Sequence, residues 1–281
     1  MNHRCKAYWL LLIFTIGAAG CTTRPYEYGV SRMEADLKNS PPMAEQFYIG
    51  KPNKWLDASD WYNPLILLRK LLLWNASVDS HEVSTQTVDT LKTYIVENDL
   101  RSLQVHVNFY APGNQFQRLF RNRTVAAPWR YTIGILSVVN YTILPGRFFG
   151  GDAYNPYTNT LYLYSDDPSI ALHEGGHAKD FANRKYKGTN AFIYALPLAA
   201  LYYEAKATSD ALGYLESKGK ICQKIEAFEI LYPAYTTYIA GGIADFNGSQ
   251  IVGLLGVIPG HLAGQIAALT EQDENCEDAQ D

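Results

Sequence analysis

The chain has 281 residues, 47% of them hydrophobic and 19% charged, which is enough apolar material for a sizeable core and too much for a disordered chain. Its formal net charge is −4, and −6 once a cleavable leader carrying Arg4 and Lys6 is removed; neither value suits a nucleic-acid partner. No internal repeat or low-complexity tract stands out, so a single globular body is expected.

The first residues carry His3, Arg4 and Lys6, then the apolar run 9–14, then Gly17-Ala18-Ala19-Gly20-Cys21. A basic start, a short apolar stretch and small residues at the end make residues 1–20 a secretory signal peptide, too short for a spanning helix. Its ending resembles the bacterial lipobox, in which a cysteine after small residues is acylated and becomes the mature N-terminus, although Ala18 stands where that motif usually has Leu. Thr22, in place of Asp, resembles lipoproteins sent on to the outer membrane. The resemblance implies lipidation at Cys21 and a bacterial cell-envelope location, held at the outer membrane and facing the periplasm. Acyl chains would anchor the protein there without a spanning helix. With Cys5 and Cys21 so assigned, Cys222 and Cys276 remain. One disulfide and two buried thiols are both open.

Residues 21–63 are rich in Pro, Asn, Lys and Asp and read as a lipidated tether with irregular wrapping segments. A single domain is expected over 64–281. Residues 65–74 form a strongly apolar helix candidate with Pro64 at its start, either a core helix or one lying on a membrane surface. Val88, Leu91, Ile95 and Val96 recur at helical spacing, and residues 103–109 alternate as a strand does. Residues 150–154 and 160–164 flank a turn-rich connection and read as a β-hairpin. Beyond residue 177 the pattern is helical, at about 190–201, 203–218, 222–240 and 249–270. The chain is therefore expected to be α+β, with a small antiparallel or mixed sheet early and a helical C-terminal half.

Asp166-Asp167-Pro168-Ser169 supplies a cap and an N-terminal proline for a helix that should run to about Asn183. On it lies His173-Glu174-Gly175-Gly176-His177. Histidines four residues apart stack on one helix face, close enough to bind one zinc ion. Glu174, one residue past the first, flanks that position, where a general base can take a proton from water. Two glycines each cost a helix about 1 kcal/mol relative to Ala, which points to a site that needs a neighbouring backbone or a substrate close to the helix rather than to a purely structural helix. Catalytic zinc takes three protein ligands, and Glu204, opening Glu204-Ala205-Lys206-Ala207-Thr208-Ser209-Asp210, is the candidate third. Asp180 is the competing one.

A hairpin, then His-Glu-x-x-His, then Glu-x-x-Ala on a following helix resembles the gluzincin metallopeptidases, especially their membrane and periplasmic members, over roughly residues 100–215. The resemblance implies a zincin-like fold, one Zn²⁺ per chain held by His173, His177 and Glu204, and a peptide or protein substrate. It further implies that the strand before the motif helix, residues 160–164, is an edge that aligns the substrate. In that family an Asp four residues after the ligand Glu orients the first histidine. Thr208 occupies that position here, with Asp210 two residues beyond. Candidate oxyanion donors are His261, Tyr235 and Tyr238.

Gly256, Gly260 and Gly264 recur every four residues, a spacing that lets helices approach closely. A packed helix and a membrane-inserted one are both open for 249–270, since Pro259, His261, Gln250 and Gln265 interrupt its apolar run. The functional expectation is a zinc endopeptidase of the cell envelope. The alternatives are a structural or chaperone-like lipoprotein that keeps a metal site without turnover, and a metal hydrolase acting on a non-peptide bond.

Overall fold

The computed structural model describes residues 25–30, 43–51, 53–196, 198–247, 255–271 and 276. The expected leader and Cys21 lie outside the described residues. Within them the protein is α+β, and every strand precedes residue 164.

Four strands form the sheet: β1 (Phe47–Ile49), β2 (Gln104–Val107), β3 (Ala153–Asn155) and β4 (Thr160–Leu163). Their order is β1-β2-β4-β3, with β1, β2 and β4 parallel and β3 antiparallel to β4. Val105 pairs with both Phe47 and Leu161, so β2 sits in the middle. The β3–β4 hairpin is the one the turn residues foretold. Its second strand, however, is not an edge: residues 160–163 are enclosed between β2 and β3, and the exposed edge beside the motif helix is β3. Residues 160–164, expected to form the edge before the motif helix, therefore do not form it; residues 153–155 do.

The tether boundary also moves. Phe47–Ile49 is a strand of the central sheet, and the buried amide of Gln46 donates to the carbonyls of Leu100 and Leu103 at 3.0 and 2.9 Å. A segment rich in loop-forming residues is thus part of the body, because β2 offers it a free row of backbone partners.

Both faces of β2 and β4 are covered, so these strands are buried along their whole length. Val105, Val107, Leu161 and Leu163 share a core with helices α2 (Thr85–Glu97) and α5 (Pro168–Ala182). The opposite face carries Gln104, His106 and Tyr162 under α3 (Pro112–Arg121) and α4 (Ile135–Ile143). The second half is helical: α6 (Lys187–Tyr194), α7 (Ala199–Ser217), α8 (Ile221–Asn247) and α9 (Val257–Thr270). Helix α1 (Pro64–Leu73) lies outside the sheet, and only Ile66 on it is buried.

Cys222 and Cys276 are joined in a disulfide with Cα atoms 5.3 Å apart, within the span such a bond requires. It ties the start of α8 to the segment after α9. Those two helices are packed backbone to backbone, as the glycine spacing suggested: a Cβ on Gly264 would lie 2.5 Å from the Phe228 carbonyl oxygen, and one on Gly260 would lie 2.6 Å from Pro233 Cα.

His106 is fully buried, with Nε2 3.1 Å from Gln104 Oε1 and no partner for Nδ1. Burial, assisted by the Arg118 charge, pushes its pKa down to about 3. The folded state therefore holds this ring neutral, and its contribution to stability is present above the unfolded value near 6.5 and lost as pH falls below it. At pH 5 the expected loss is roughly 2 kcal/mol. The buried carboxyls of Asp79, Asp152, Asp167 and Glu174, whose pKa values are raised, act in the opposite sense, and Glu204, whose pKa is lowered, in the same sense, so the measurement is a difference between wild type and variant. Urea unfolding of wild type and His106→Gln at pH 7 and pH 5 should show a steeper acid loss in the wild type; equal slopes would refute the assignment.

Candidate metal and catalytic site

Helix α5 begins where the sequence places it. Asp167 caps it by accepting from the Ser169 and Ile170 amides at 2.8 and 3.3 Å, and Pro168 occupies the first turn. The helix is buried nearly all round, between α2, α7, α8 and the β3–β4 hairpin, and its small residues make that possible. A Cβ on Gly175 would lie 2.7 Å from the ring of Tyr94 in α2. One on Gly176 would lie 3.0 to 3.1 Å from the backbone of Ala207 in α7. Gly175 thus admits the Tyr94 ring of α2, and Gly176 lets α7 come against α5, with Glu204 one turn before Ala207 on that helix.

The result is a convergent group. One ligand atom each from His173, His177 and Glu204 lies within 4.8 Å of the others, the sole such cluster of three among the described residues. His173 Nε2 is 3.1 Å from Glu204 Oε2, and His177 Nε2 is 3.5 Å from Glu204 Oε1. Tetrahedral zinc with bonds near 2.1 Å sets its ligand atoms roughly 3.3 Å apart, so the donor set fits that ion in type and in spacing. His177 and Glu204 are buried at 3% and 1% exposure; the His173 side chain, at 13%, marks the side on which the group opens.

The surroundings hold each donor in place. Thr208 Oγ1 lies 3.3 Å from His173 Nδ1, where it can accept the ring N–H and leave Nε2 for a metal. Tyr194, on α6, donates its hydroxyl hydrogen bond to Glu204 Oε1. Burial alone would raise the Glu204 pKa, but the His177 charge and the hydrogen bonds from both histidines hold it well below the usual carboxylate range. Glu174 behaves in the opposite way. Burial pushes it up to about 8; His173 opposes this, and the Glu204 and Asp152 carboxylates add to it, while the Tyr154 backbone N–H on β3 hydrogen-bonds the carboxylate.

The remaining candidates separate clearly. Asp210 is not beside His173: it accepts from Lys179 Nζ at 2.8 Å, from Tyr26 at 3.4 Å and from the Tyr94 hydroxyl, bracing the far side of α5. Asp180 is paired with Arg184 at 2.6 Å and with Lys206 and does not compete for the metal position. His261 is committed elsewhere, its Nε2 2.7 Å from the Leu72 carbonyl and its ring stacked on Trp74 at 3.9 Å. Tyr238, on α8, is drawn to the site: the Glu204 carboxylate, followed by burial and Glu174, holds its phenol protonated well above the ordinary value. Its phenol end is the buried part, while the residue as a whole remains 46% exposed. Tyr235 stands one turn earlier on the same helix.

Sequence reasoning missed Tyr194 and the Tyr154 amide. The 21 tyrosines were the available signal, but composition does not say which of them meet at one place.

Fold and site together define an α+β protein with a three-donor, metal-capable group on two helices and a carboxylic acid beside it. Comparison with protein-family models, with curated proteins and with solved structures finds no match. The resemblance to gluzincins rests on the sequence motif alone.

Proposed function

We propose that the protein is a zinc-dependent endopeptidase of zincin type, acting in the bacterial cell envelope and anchored there through acylated Cys21. The observation that carries this reading is the convergence of His173, His177 and Glu204 with the buried Glu174 adjacent to them on the same helix. A zinc ion held by the three donors would polarise the scissile carbonyl and acidify water. The other tasks fall to the chain itself. Glu174, in an apolar setting that favours the neutral acid, takes a proton from the attacking water and returns it to the leaving amine. The Tyr238 hydroxyl donates to the oxyanion. Thr208 and Tyr194 fix the His173 ring and the Glu204 carboxylate. The edge strand β3, whose Tyr154 amide already reaches Glu174, pairs with an extended substrate backbone. The Cys222–Cys276 disulfide supports an oxidising compartment.

The test begins with metal content. Purified mature protein should hold about one zinc per chain, and His177→Ala should lose both the metal and peptide cleavage. A wild-type protein that cannot be loaded with stoichiometric zinc would overturn the reading.

A further inference from the structure

Helix α9 is built the reverse way to a helix of a water-exposed surface. Its buried side carries the small residues Gly260, Gly264 and Ala268 beside Val257 and His261, with Gly260 and Gly264 set directly against α8. Its outward side is a row of large aliphatic residues: Ile258 is 53% exposed, Leu262 58%, Ile266 63% and Leu269 67%. These recur at i, i+4, i+8 and i+11, a continuous apolar face turned to the outside. Helix α1 also turns large aliphatic residues outward, Leu67, Leu68 and Leu71, with only Ile66 buried. The two helices meet where Trp74 at the end of α1 stacks on His261 of α9, whose ring bonds the Leu72 carbonyl. Helix α1 leads back through Asn63 into the short helix Ser59–Tyr62, where Trp61 is 80% exposed, and beyond it Trp55 is 82% exposed.

A surface of this extent and chemistry is not left to water without a covering, and three observations choose a phospholipid bilayer. Large residues outside and small residues between helices is the packing of proteins that meet lipid, where the solvent is itself apolar. Tryptophan favours the membrane interface: outside the expected leader the chain has four, and Trp55, Trp61 and Trp74, on the short helices leading into α1 and at its end, are 82%, 80% and 69% exposed. Exposed Lys51 and Lys54 accompany Trp55, supplying positive charge for anionic headgroups in a chain of net negative charge. No helix among the described residues is long and apolar enough to cross a membrane, so the contact is one of lying on the surface. Arg69 of α1 pairs with buried Asp79 at 3.3 Å, and α1 also packs against α8, the helix that carries Tyr238 of the candidate site.

We propose that the α1 and α9 faces, with Trp55 and Trp61, seat the protein on a phospholipid bilayer and present the site to polypeptide at the membrane surface. This rests on the envelope location proposed above but not on acylation, and the experiment separates the two. The mature chain from residue 21, carrying Cys21→Ser and therefore unacylated, is mixed with phosphatidylethanolamine–phosphatidylglycerol vesicles and floated on a density gradient. It should float, and brominated acyl chains should quench most of its tryptophan fluorescence. Adding Leu71→Ser, Leu262→Ser and Ile266→Ser, all at exposed positions, should lower vesicle binding roughly tenfold or more with unchanged circular dichroism and zinc content. A Cys21→Ser chain that stays with the soluble fraction would overturn the proposal. So would equal floating of the triple variant, or a lipid-free oligomer whose tryptophans are unquenched by vesicles, since a second copy would then cover the face. Acylation of Cys21 is read separately, by mass spectrometry of the wild-type protein.

Discussion

Glu174→Gln should retain the full complement of zinc and lose peptide cleavage by about 10²–10⁴-fold in kcat. Gln preserves the shape and the hydrogen bond from the Tyr154 amide but cannot take up a proton. Glu174 is not one of the three convergent donors, so metal content and activity should part company in this variant. The burial that pushes the Glu174 acid up to about 8 tells against a chelating carboxylate and suits a group that gains and releases a proton. Zinc stoichiometry and turnover measured on one preparation decide the matter. Stoichiometric zinc with wild-type turnover in Glu174→Gln would leave the reaction without its proposed base and overturn the mechanism, whereas stoichiometric zinc with no turnover in the wild type would make the protein a metal-binding structural lipoprotein.

Gly176→Val should weaken zinc binding at least tenfold while leaving every donor side chain in place. Even a methyl group at this position would lie 3.1 Å from Ala207 Cα and 3.0 Å from its carbonyl oxygen, and backbone gives way less readily than a flexible side chain. Relief requires α7 to move off α5, carrying Glu204 away from the two histidines. Overpacking of this kind costs about 1–3 kcal/mol, so the unfolding midpoint should fall as well. Gly113→Ala provides the control, since its new methyl group would meet nothing within 4 Å; it should be neutral or stabilising by up to about 1 kcal/mol. Competition titration against a zinc chelator measures the first effect. Unchanged affinity in Gly176→Val would show that the ligand geometry does not depend on the close approach of the two helices.

These two variants probe different levels of the same site, and they differ in how far each was legible beforehand. The base and both histidines are a local matter: their spacing on one helix is fixed by helical geometry, and the cap and proline at Asp167 and Pro168 mark where that helix starts. The glycine pair announced a close neighbour but not its identity, because what lies 3 Å away across a helix interface is a long-range contact. Glu204 was reachable through its resemblance to a known spacing. Its support from Tyr194 was not, since no pattern links a tyrosine on α6 to a carboxylate on α7.

The amino-acid sequence by itself determined the α+β class, the β3–β4 hairpin, the bounds of α5, the helical second half and the placement of His173, Glu174 and His177 on one helix. All of these follow from short-range periodicity, capping and turn chemistry. Tertiary structure alone decided the rest. Strand order made β3 the edge in place of 160–163, and pairing with β2 drew Phe47–Ile49 out of the presumed tether into the sheet. It sent Asp210 to Lys179 and Tyr94 and left Thr208 beside His173. It also turned the apolar rows of α1 and α9 outward. Hydropathy records that a residue avoids water, but only packing settles whether protein or another apolar medium takes its place.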